Sequence, residues 1–136
     1  LHGSHRGGDG NLTAGFLGVV IANGIPVGLG TDTGCPFITH YDMWRELVYF
    51  HKYCGVSNKF ALYTATKRNA EIAHIDDITG TVESGKCADL IVTEKNPIDD
   101  LTALRDVKMV MARGKLIREP KVKKYENVER ELDKFL

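Results

Sequence analysis

The chain has 136 residues, of which 43% are hydrophobic and 26% charged, a composition ordinary for a soluble globular protein with one modest core. Eighteen basic and eighteen acidic side chains give a formal net charge of zero, which excludes a general electrostatic attraction to nucleic acid or to a membrane surface. The longest apolar run, around residues 16–22, is too short to span a bilayer, and no signal peptide is visible. Three cysteines without CxxC spacing favour free thiols in a reducing compartment, so we expect a cytoplasmic protein.

The first part of the chain predicts one helix followed by one strand. Residues 1–11 form a glycine-rich segment without periodicity, which indicates a loop, either native or introduced by cloning. Asn11 has the character of an N-cap for a helix over residues 12–22 that ends at Gly24, and this helix is apolar on most sides, so we expect it to pack on both flanks. A strand over residues 26–30 follows directly, and the two elements form one αβ unit.

The next part of the chain is predicted to contain three helices. The first covers residues 41–54 and stops at Gly55. Ser57 caps the second, and Thr66 caps a short third helix over residues 67–74. The helix over residues 41–54 has an apolar stripe at i, i+3, i+4, i+7 spacing, which consists of Trp44, Leu47, Val48 and His51.

Strands replace helices in the C-terminal half. Residues 79–86 show a strand-and-turn pattern, residues 88–93 a β-branched strand, and residues 107–117 a β-hairpin with its turn at Arg113-Gly114. The tail, residues 122–136, predicts a helix that docks on the rest of the protein. Its apolar face consists of Tyr125, Val128, Leu132 and Phe135.

The most informative stretch is an apolar run that ends in an acid flanked by glycines. Residues 25–29 are followed by Gly30-Thr31-Asp32-Thr33-Gly34, the pattern by which a buried parallel strand brings a carboxylate to the mouth of an α/β barrel. Two compatible interpretations of Asp32 stay open, a catalytic residue and an Asx-turn or capping residue after the strand. Thr33 favours turn formation over catalysis. His40 precedes a helix, and a helix-start role competes there with a place at a pocket rim.

Several motifs follow one another in an order that resembles one known superfamily. They are Gly30-Thr31-Asp32-Thr33-Gly34, Ala65-Thr66-Lys67-Arg68-Asn69-Ala70, Gly80-Thr81-Val82-Glu83-Ser84-Gly85-Lys86, Ala88-Asp89-Leu90-Ile91-Val92 and Asn96-Pro97, closed by the hairpin. In this order and at these spacings the set resembles the C-terminal third of the amidohydrolase superfamily. It is similar in particular to the imidazolonepropionase-like and Xaa-Pro dipeptidase-like metal-dependent hydrolases. The resemblance covers about residues 12–117.

The resemblance implies an α/β fold, the C-terminal fragment of a (β/α)8 barrel plus part of a small composite β-sandwich. Residues 12–74 then form the last αβα part of the barrel, with residues 26–30 as its eighth strand. Residues 75–118 form the sandwich portion, and residues 119–136 a C-terminal helix.

The resemblance also implies a chemistry, the hydrolysis of a carbon–nitrogen bond in a small-molecule substrate such as an amide, cyclic amide or dipeptide. Asp32 falls on the family's last metal-site residue. That residue ligates a divalent metal, here expected to be zinc, takes a proton from the attacking water and relays it to the leaving amine. Thr33 and His40 fall in a loop that contacts the substrate in the family.

The family's other ligands, a His-x-His pair, a lysine and two further histidines, match no segment of this sequence. Because a metal site needs about three or four ligands, we expect the chain alone to bind the metal weakly and to be inactive. We also expect it to form a homo-oligomer or to pair with a missing N-terminal part. The alternative is a non-catalytic, self-associating barrel fragment or interaction module. A nucleotide-binding domain is less favoured, because the glycine-rich segment follows no strand.

Overall fold

The computed structural model describes residues 12–136, with helices in the first half and a small antiparallel sheet in the second. Five helices and three strands are present in this part of the chain, together with one π-helical turn and two 3-10 turns. In chain order they are α1 (Leu12–Ala22), α2 (Met43–Cys54), α3 (Asn58–Tyr63), the π-helical turn (Thr64–Arg68), α4 (Asn69–Ile72), β1 (Leu90–Thr93), a 3-10 turn (Leu101–Arg105), β2 (Val107–Ala112), β3 (Lys115–Arg118), α5 (Glu126–Leu132) and a second 3-10 turn (Asp133–Phe135).

Helix α1 has the predicted bounds, and its predicted N-cap, Asn11, lies outside the described residues. Gly24 follows the helix with a φ of 72°, a left-handed conformation that glycine adopts without strain. The helix packs against α2, with Ile21 against the core. However, Phe16 and Val19 are 69% and 60% exposed. The described residues therefore cover α1 on one flank, whereas the sequence predicted packing on both.

The predicted strand over residues 26–30 has no β ladder within residues 12–136. Val27 and Leu29 pack against the core. The main chain of Leu29 pairs with a side chain, that of Asn69, rather than with a strand. A strand completes its hydrogen bonds with a neighbouring strand, and β1, β2 and β3 pair only with one another.

Helix α2 supplies the centre of the core. It begins at Met43, two residues later than predicted, and ends at the predicted Gly55, whose φ is 69°. Leu47 and Phe50 are buried and join Ala61 and Leu101 in one hydrophobic cluster. The predicted apolar stripe is wrong at His51, which is exposed and has its Nδ1 2.6 Å from the main-chain oxygen of Val56.

The helices α3 and α4 are joined without a break through the π-helical turn. Ser57 is the N-cap, as predicted, and its side chain accepts a hydrogen bond from the N–H of Phe60 at 3.1 Å. The predicted cap at Thr66 is wrong, because this residue lies inside the π-helical turn and its hydroxyl donates to the oxygen of Leu62 at 2.7 Å. A threonine hydroxyl can bond back to the carbonyl four residues earlier, so it does not need to start a helix.

The strands form one antiparallel sheet in the order β1-β2-β3. The β2–β3 hairpin and β1 are confirmed. The hairpin turn has φ values of 48° at Arg113 and 77° at Gly114, the two positive values that a type I′ turn needs. Of the strand-and-turn pattern predicted for residues 79–86, the strand is wrong, since these residues form bends and a turn at residues 84–85. Gly80, with a φ of 94°, lies against Ala70 of α4 there.

The tail docks on α2, mainly through charged and polar groups. Arg45 of α2 reaches Glu129 at 3.0 Å and Asp133 at 2.7 Å, and Lys52 donates to the main-chain oxygen of Phe135 at 2.9 Å. The predicted apolar face is only partly covered: Val128 and Leu132 are half-buried, whereas Tyr125 and Phe135 are exposed. None of the helices in residues 12–136 has the length and apolar character that crossing a membrane requires.

Candidate functional site

The segment before Asp32 is held against the core and the segment after it is exposed. Val27 and Leu29 are half-buried and pack against the hydrophobic cluster. Asn69, the first residue of α4, accepts a hydrogen bond from the N–H of Leu29 at 2.9 Å and donates one to its carbonyl oxygen at 2.8 Å. Gly30, Asp32 and Thr33 are exposed, so the chain emerges from the helices a few residues after this contact.

The Asp32 carboxylate is exposed at the start of a loop. Its φ is 52°, a left-handed conformation that aspartate tolerates better than most residues. The thiol of Cys35 donates a hydrogen bond to its Oδ2, with 3.7 Å between Sγ and Oδ2. No main-chain N–H within residues 12–136 donates to it, so the hydrogen bond of an Asx-turn is not formed there. Among the described residues, Cys35 is thus the hydrogen-bond partner of this carboxylate.

The loop after Asp32 carries the two predicted substrate contacts. The hydroxyl of Thr33 hydrogen-bonds to that of Thr31, 2.5 Å away, so Thr33 stiffens the turn. His40 is exposed, and its ring lies edge-on to the ring of Tyr41 at a centroid distance of 5.5 Å. Neither side chain contacts Asp32 within the described part of the chain. The structure places all three in one loop region but does not bring them together.

The donor groups of the described residues decide whether this part of the chain can hold a metal ion. No group of three or more His, Cys, Asp or Glu side chains within residues 12–136 could hold a metal ion. Asp32 offers one exposed carboxylate, a donor that divalent metals accept. This part of the chain could therefore supply one metal ligand, Asp32, but its residues do not form a complete metal site.

Within residues 12–136, two cavities lie between the helices and the sheet, and Asp32 lines neither. The larger, of about 660 Å³, separates the segment 65–73 from the turn at residues 79–82 and from β1. The smaller, of about 290 Å³, lies among Trp44, Leu47, Leu62 and Ile91. Both are lined mainly by apolar side chains and contain no cluster of titratable groups.

Two features near this region were missed by the sequence reasoning. The Asn69 side chain binds the main chain 40 residues earlier, whereas from the sequence Asn69 was only one member of a motif, without a role. Arg45 is buried with the acids Asp42 and Glu129, and the sequence analysis did not single it out. An isolated asparagine inside a helical Ala-Thr segment was the available signal for the first, and nothing in the sequence signalled the second.

Comparisons with known proteins place the chain in one group. The sequence profile of the amidohydrolase family matches residues 15–117. Among solved structures, the chain is similar to a candidate prolidase from Bifidobacterium longum, with 40% identity and a TM-score of 0.83 over 85% of this chain and 28% of that one. Among curated proteins, no sequence matches this chain.

Two further solved structures are also similar. One is a Xaa-Pro dipeptidase with methionine bound in its active site, at 33% identity and a TM-score of 0.70 over 77% of this chain and 25% of that one. The other is the ochratoxinase of A. niger, at 27% identity and a TM-score of 0.66 over 81% of this chain and 25% of that one. The chain spans about a quarter of the length of these structures.

Proposed function

We propose, from the premise that this chain belongs to the amidohydrolase family, that it forms the C-terminal part of a metal-dependent hydrolase acting on carbon–nitrogen bonds. The observation that carries the proposal is the exposed Asp32 carboxylate, which follows a core-anchored segment inside the matched residues 15–117. A carboxylate just after a strand is where barrel enzymes place catalytic groups. Residues 26–30 would then be the eighth strand of the barrel.

The sheet suits a portion of a β-sandwich. Leu90 and Val92 of β1 lie on one face, while Ile91 lies on the other, where it lines a cavity together with Trp44 of α2 and Leu104 of the first 3-10 turn. A sheet with apolar side chains on both faces is usually covered by other parts of the protein on both faces. The helical half would supply one of these layers.

Asp32 is the residue proposed to act in the reaction. It would give one carboxylate oxygen to the metal, accept the proton of the attacking water, and return that proton to the leaving nitrogen. When bound, the metal supplies Lewis-acid polarisation of the carbonyl and lowers the pKa of water; zinc is the proposed ion. The exposure of Asp32 and the absence of a competing main-chain donor among residues 12–136 suit both tasks.

The substrate is proposed to be an amide or a dipeptide, and the bond that is hydrolysed is its amide C–N bond. The prolidase, the Xaa-Pro dipeptidase and the ochratoxinase are the similar structures that point to this class. His40 is proposed to contact the substrate from the loop before α2, since it is exposed there. Thr33 is proposed to shape the same loop through its bond with Thr31.

The test is the substitution Asp32→Asn in the whole protein loaded with Zn²⁺, assayed for hydrolysis of a panel of Xaa-Pro dipeptides and N-acyl amino acids. Loss of the carboxylate removes the proton relay, so kcat should fall by about 10²–10⁴-fold, with an unchanged circular dichroism spectrum. Asp76→Asn, on an exposed turn of the same chain, is the matched control and should leave kcat unchanged. Near-normal turnover in Asp32→Asn would exclude the assigned role.

A second candidate function is a non-catalytic module that associates with itself. Exposed apolar side chains on α1, Phe16 and Val19, and on the sheet, Val92 and Leu116, favour this candidate, since such surfaces mark places where proteins associate. Turnover by the whole protein would separate the two candidates, because the module would have none.

A further inference from the structure

Asn69 makes a reciprocal pair of hydrogen bonds with the main chain of Leu29. The N–H of Leu29 donates to Oδ1 at 2.9 Å, and Nδ2 donates to the carbonyl oxygen of Leu29 at 2.8 Å. A primary amide carries the same donor and acceptor as a peptide group, so Asn69 bonds Leu29 as a neighbouring strand would. Within the described part of the chain, the main chain of residues 26–30 makes these two hydrogen bonds and no others.

The packing around this pair is tight and depends on a glycine. A Cβ added at Gly28 would lie 2.7 Å from Oδ1 of Asn69 and 3.3 Å from Cδ1 of Ile72. The first distance is shorter than real contacts allow, so a side chain at residue 28 would have to displace the amide of Asn69 from this position. The contact therefore depends on two residues. Asn69 of α4 supplies the amide, and Gly28 of the segment leaves room for it.

The helix has an irregular turn just before Asn69. The π-helical turn Thr64–Arg68 ends there, and Nδ2 of Asn69 also lies 3.5 Å from the oxygen of Ala65. A π-helical turn rotates the following residues relative to a regular helix and is frequent at functional sites. The turn and the amide together direct one polar side chain to the segment that leads to Asp32.

We infer that Asn69 is a positioning residue, which fixes the main chain at Leu29 and thereby the place of the Asp32 carboxylate. The inference rests on the proposed function of Asp32. Asp32 lies three positions after Leu29, a reach of at most about 10 Å, and Gly30 between them has no side chain to hold the chain. A shift of about 1 Å in a reacting group can lower a rate by about 10²-fold.

The experiment compares Asn69→Leu with the control Asn58→Leu in the whole protein. Asn58 is also the first residue of a helix, and its Nδ2 donates to the main-chain oxygen of Ile98 at 3.1 Å. Both substitutions thus remove an amide bound to main chain, but only one amide leads to Asp32. Amide hydrogen exchange of a peptide covering residues 27–33, Zn²⁺ affinity and kcat are measured on each variant.

In Asn69→Leu we expect faster exchange over residues 27–33 and a loss of about 10–100-fold in Zn²⁺ affinity or kcat, the usual effect of removing a group that orients a ligand. In Asn58→Leu these readouts stay at the wild-type level. Faster exchange with wild-type Zn²⁺ affinity and kcat would overturn the inference, and so would unchanged exchange.

Gly28→Ala and Asp32→Asn complete the set. If Asn69→Leu does not fold, Gly28→Ala tests the same contact from the segment side and should give the same losses; wild-type Zn²⁺ affinity and kcat there would overturn the inference. If Asp32→Asn abolishes turnover while Asn69→Leu and Gly28→Ala do not affect it, only the positioning role fails. If Asp32→Asn keeps turnover, the proposed function fails, and the exchange data still report whether Asn69 holds the segment.

Discussion

Arg45 lies almost wholly inside the protein, with 2% of its surface exposed, and acids surround it. Burial alone would lower the pKa of Arg45, but its contact with Asp133 and the charges of Glu129 and Asp42 raise it. The guanidinium also lies 4.4 Å from the ring centre of Trp44, a cation–π distance. The group therefore stays charged, and it ties α2 to the tail 84 residues further along the chain.

Arg45→Met is expected to destabilise the protein strongly. The substitution leaves the buried carboxylate of Glu129 without its nearest cation, and breaking a buried ion pair in this way costs about 3–5 kcal/mol; Arg105, 3.1 Å from Glu129, favours the lower end of that range. The free energy of unfolding in urea gives the measurement. Arg68→Met, which breaks a half-exposed pair with Glu71, is the control and should cost at most about 1 kcal/mol. Equal losses in the two variants would contradict a special role for Arg45.

At the scale of elements, α4 and the turn at residues 79–82 touch at Gly80, where no side chain fits, beside the cavity that otherwise lies between them. A Cβ at Gly80 would lie 2.5 Å from the Cβ of Ala70 and 3.4 Å from the oxygen of Thr66. This contact joins the helical half to the strands. It also explains why the segment forms a turn instead of the strand that its sequence pattern predicted, since Gly80 needs a φ of 94° there.

Gly80→Ala should therefore destabilise the protein more than Gly85→Ala. Both glycines have a φ near 90°, so both substitutions add left-handed strain of about 1–2 kcal/mol. Only Gly80 has a neighbour within contact distance, whereas Gly85 faces open space, and overpacking adds about 1–3 kcal/mol. Urea unfolding of both variants measures the difference. If both variants lose the same free energy of unfolding, the added methyl group at residue 80 is accommodated beside Ala70 without extra strain.

The docking of α5 and the following turn is expected to weaken in acid. Burial raises the pKa of Asp133, but the contacts from Arg45 and Arg105 outweigh it and hold that pKa below its ordinary value. A lowered pKa gives stability that is present above the ordinary carboxyl pKa of about 4 and is lost as the pH falls through the lowered value. Unfolding free energies between pH 6 and pH 2 should fall less steeply for Asp133→Asn than for the wild type. Identical slopes would argue against this titration.

How far the sequence predicted these elements depends on where their partners lie. The ends of α1 and α2 were predicted well because Gly24 and Gly55 act locally, through their own φ. The buried face of the tail was predicted less well. Its buried residue is Glu129, which is held by an ion pair with Arg45, 84 residues earlier in the sequence. At the candidate site, the flanking glycines and the family resemblance predict a role for Asp32, and that role stays a prediction. The pairing of Asn69 with Leu29 could not be predicted, since it depends on how α4 packs.

At the scale of the whole molecule, exposed apolar side chains lie on α1 and on both faces of the sheet, and on one of these faces they line a cavity. The strand register puts Leu90 and Val92 beside Met109, Met111 and Leu116 on the same face, where they line a shallow cavity of about 280 Å³. Leu90, Val92 and Leu116 are exposed there. Burying such a face is favourable by about 25 cal/mol for each Å², which gives the chain a reason to associate with another copy or with further protein.

This 136-residue chain is therefore expected to associate with itself as its concentration rises. Sedimentation velocity between micromolar and near-millimolar concentrations should show a rising mean mass, because exposed apolar patches drive association. Replacing Val92 and Leu116 by lysine should shift the chain toward the monomer, since a charge on each strand would have to be buried in the contact. Val82→Lys is the control, because Val82 is 83% exposed on a turn. A wild-type chain that stays monomeric at the highest concentration would contradict self-association through this face.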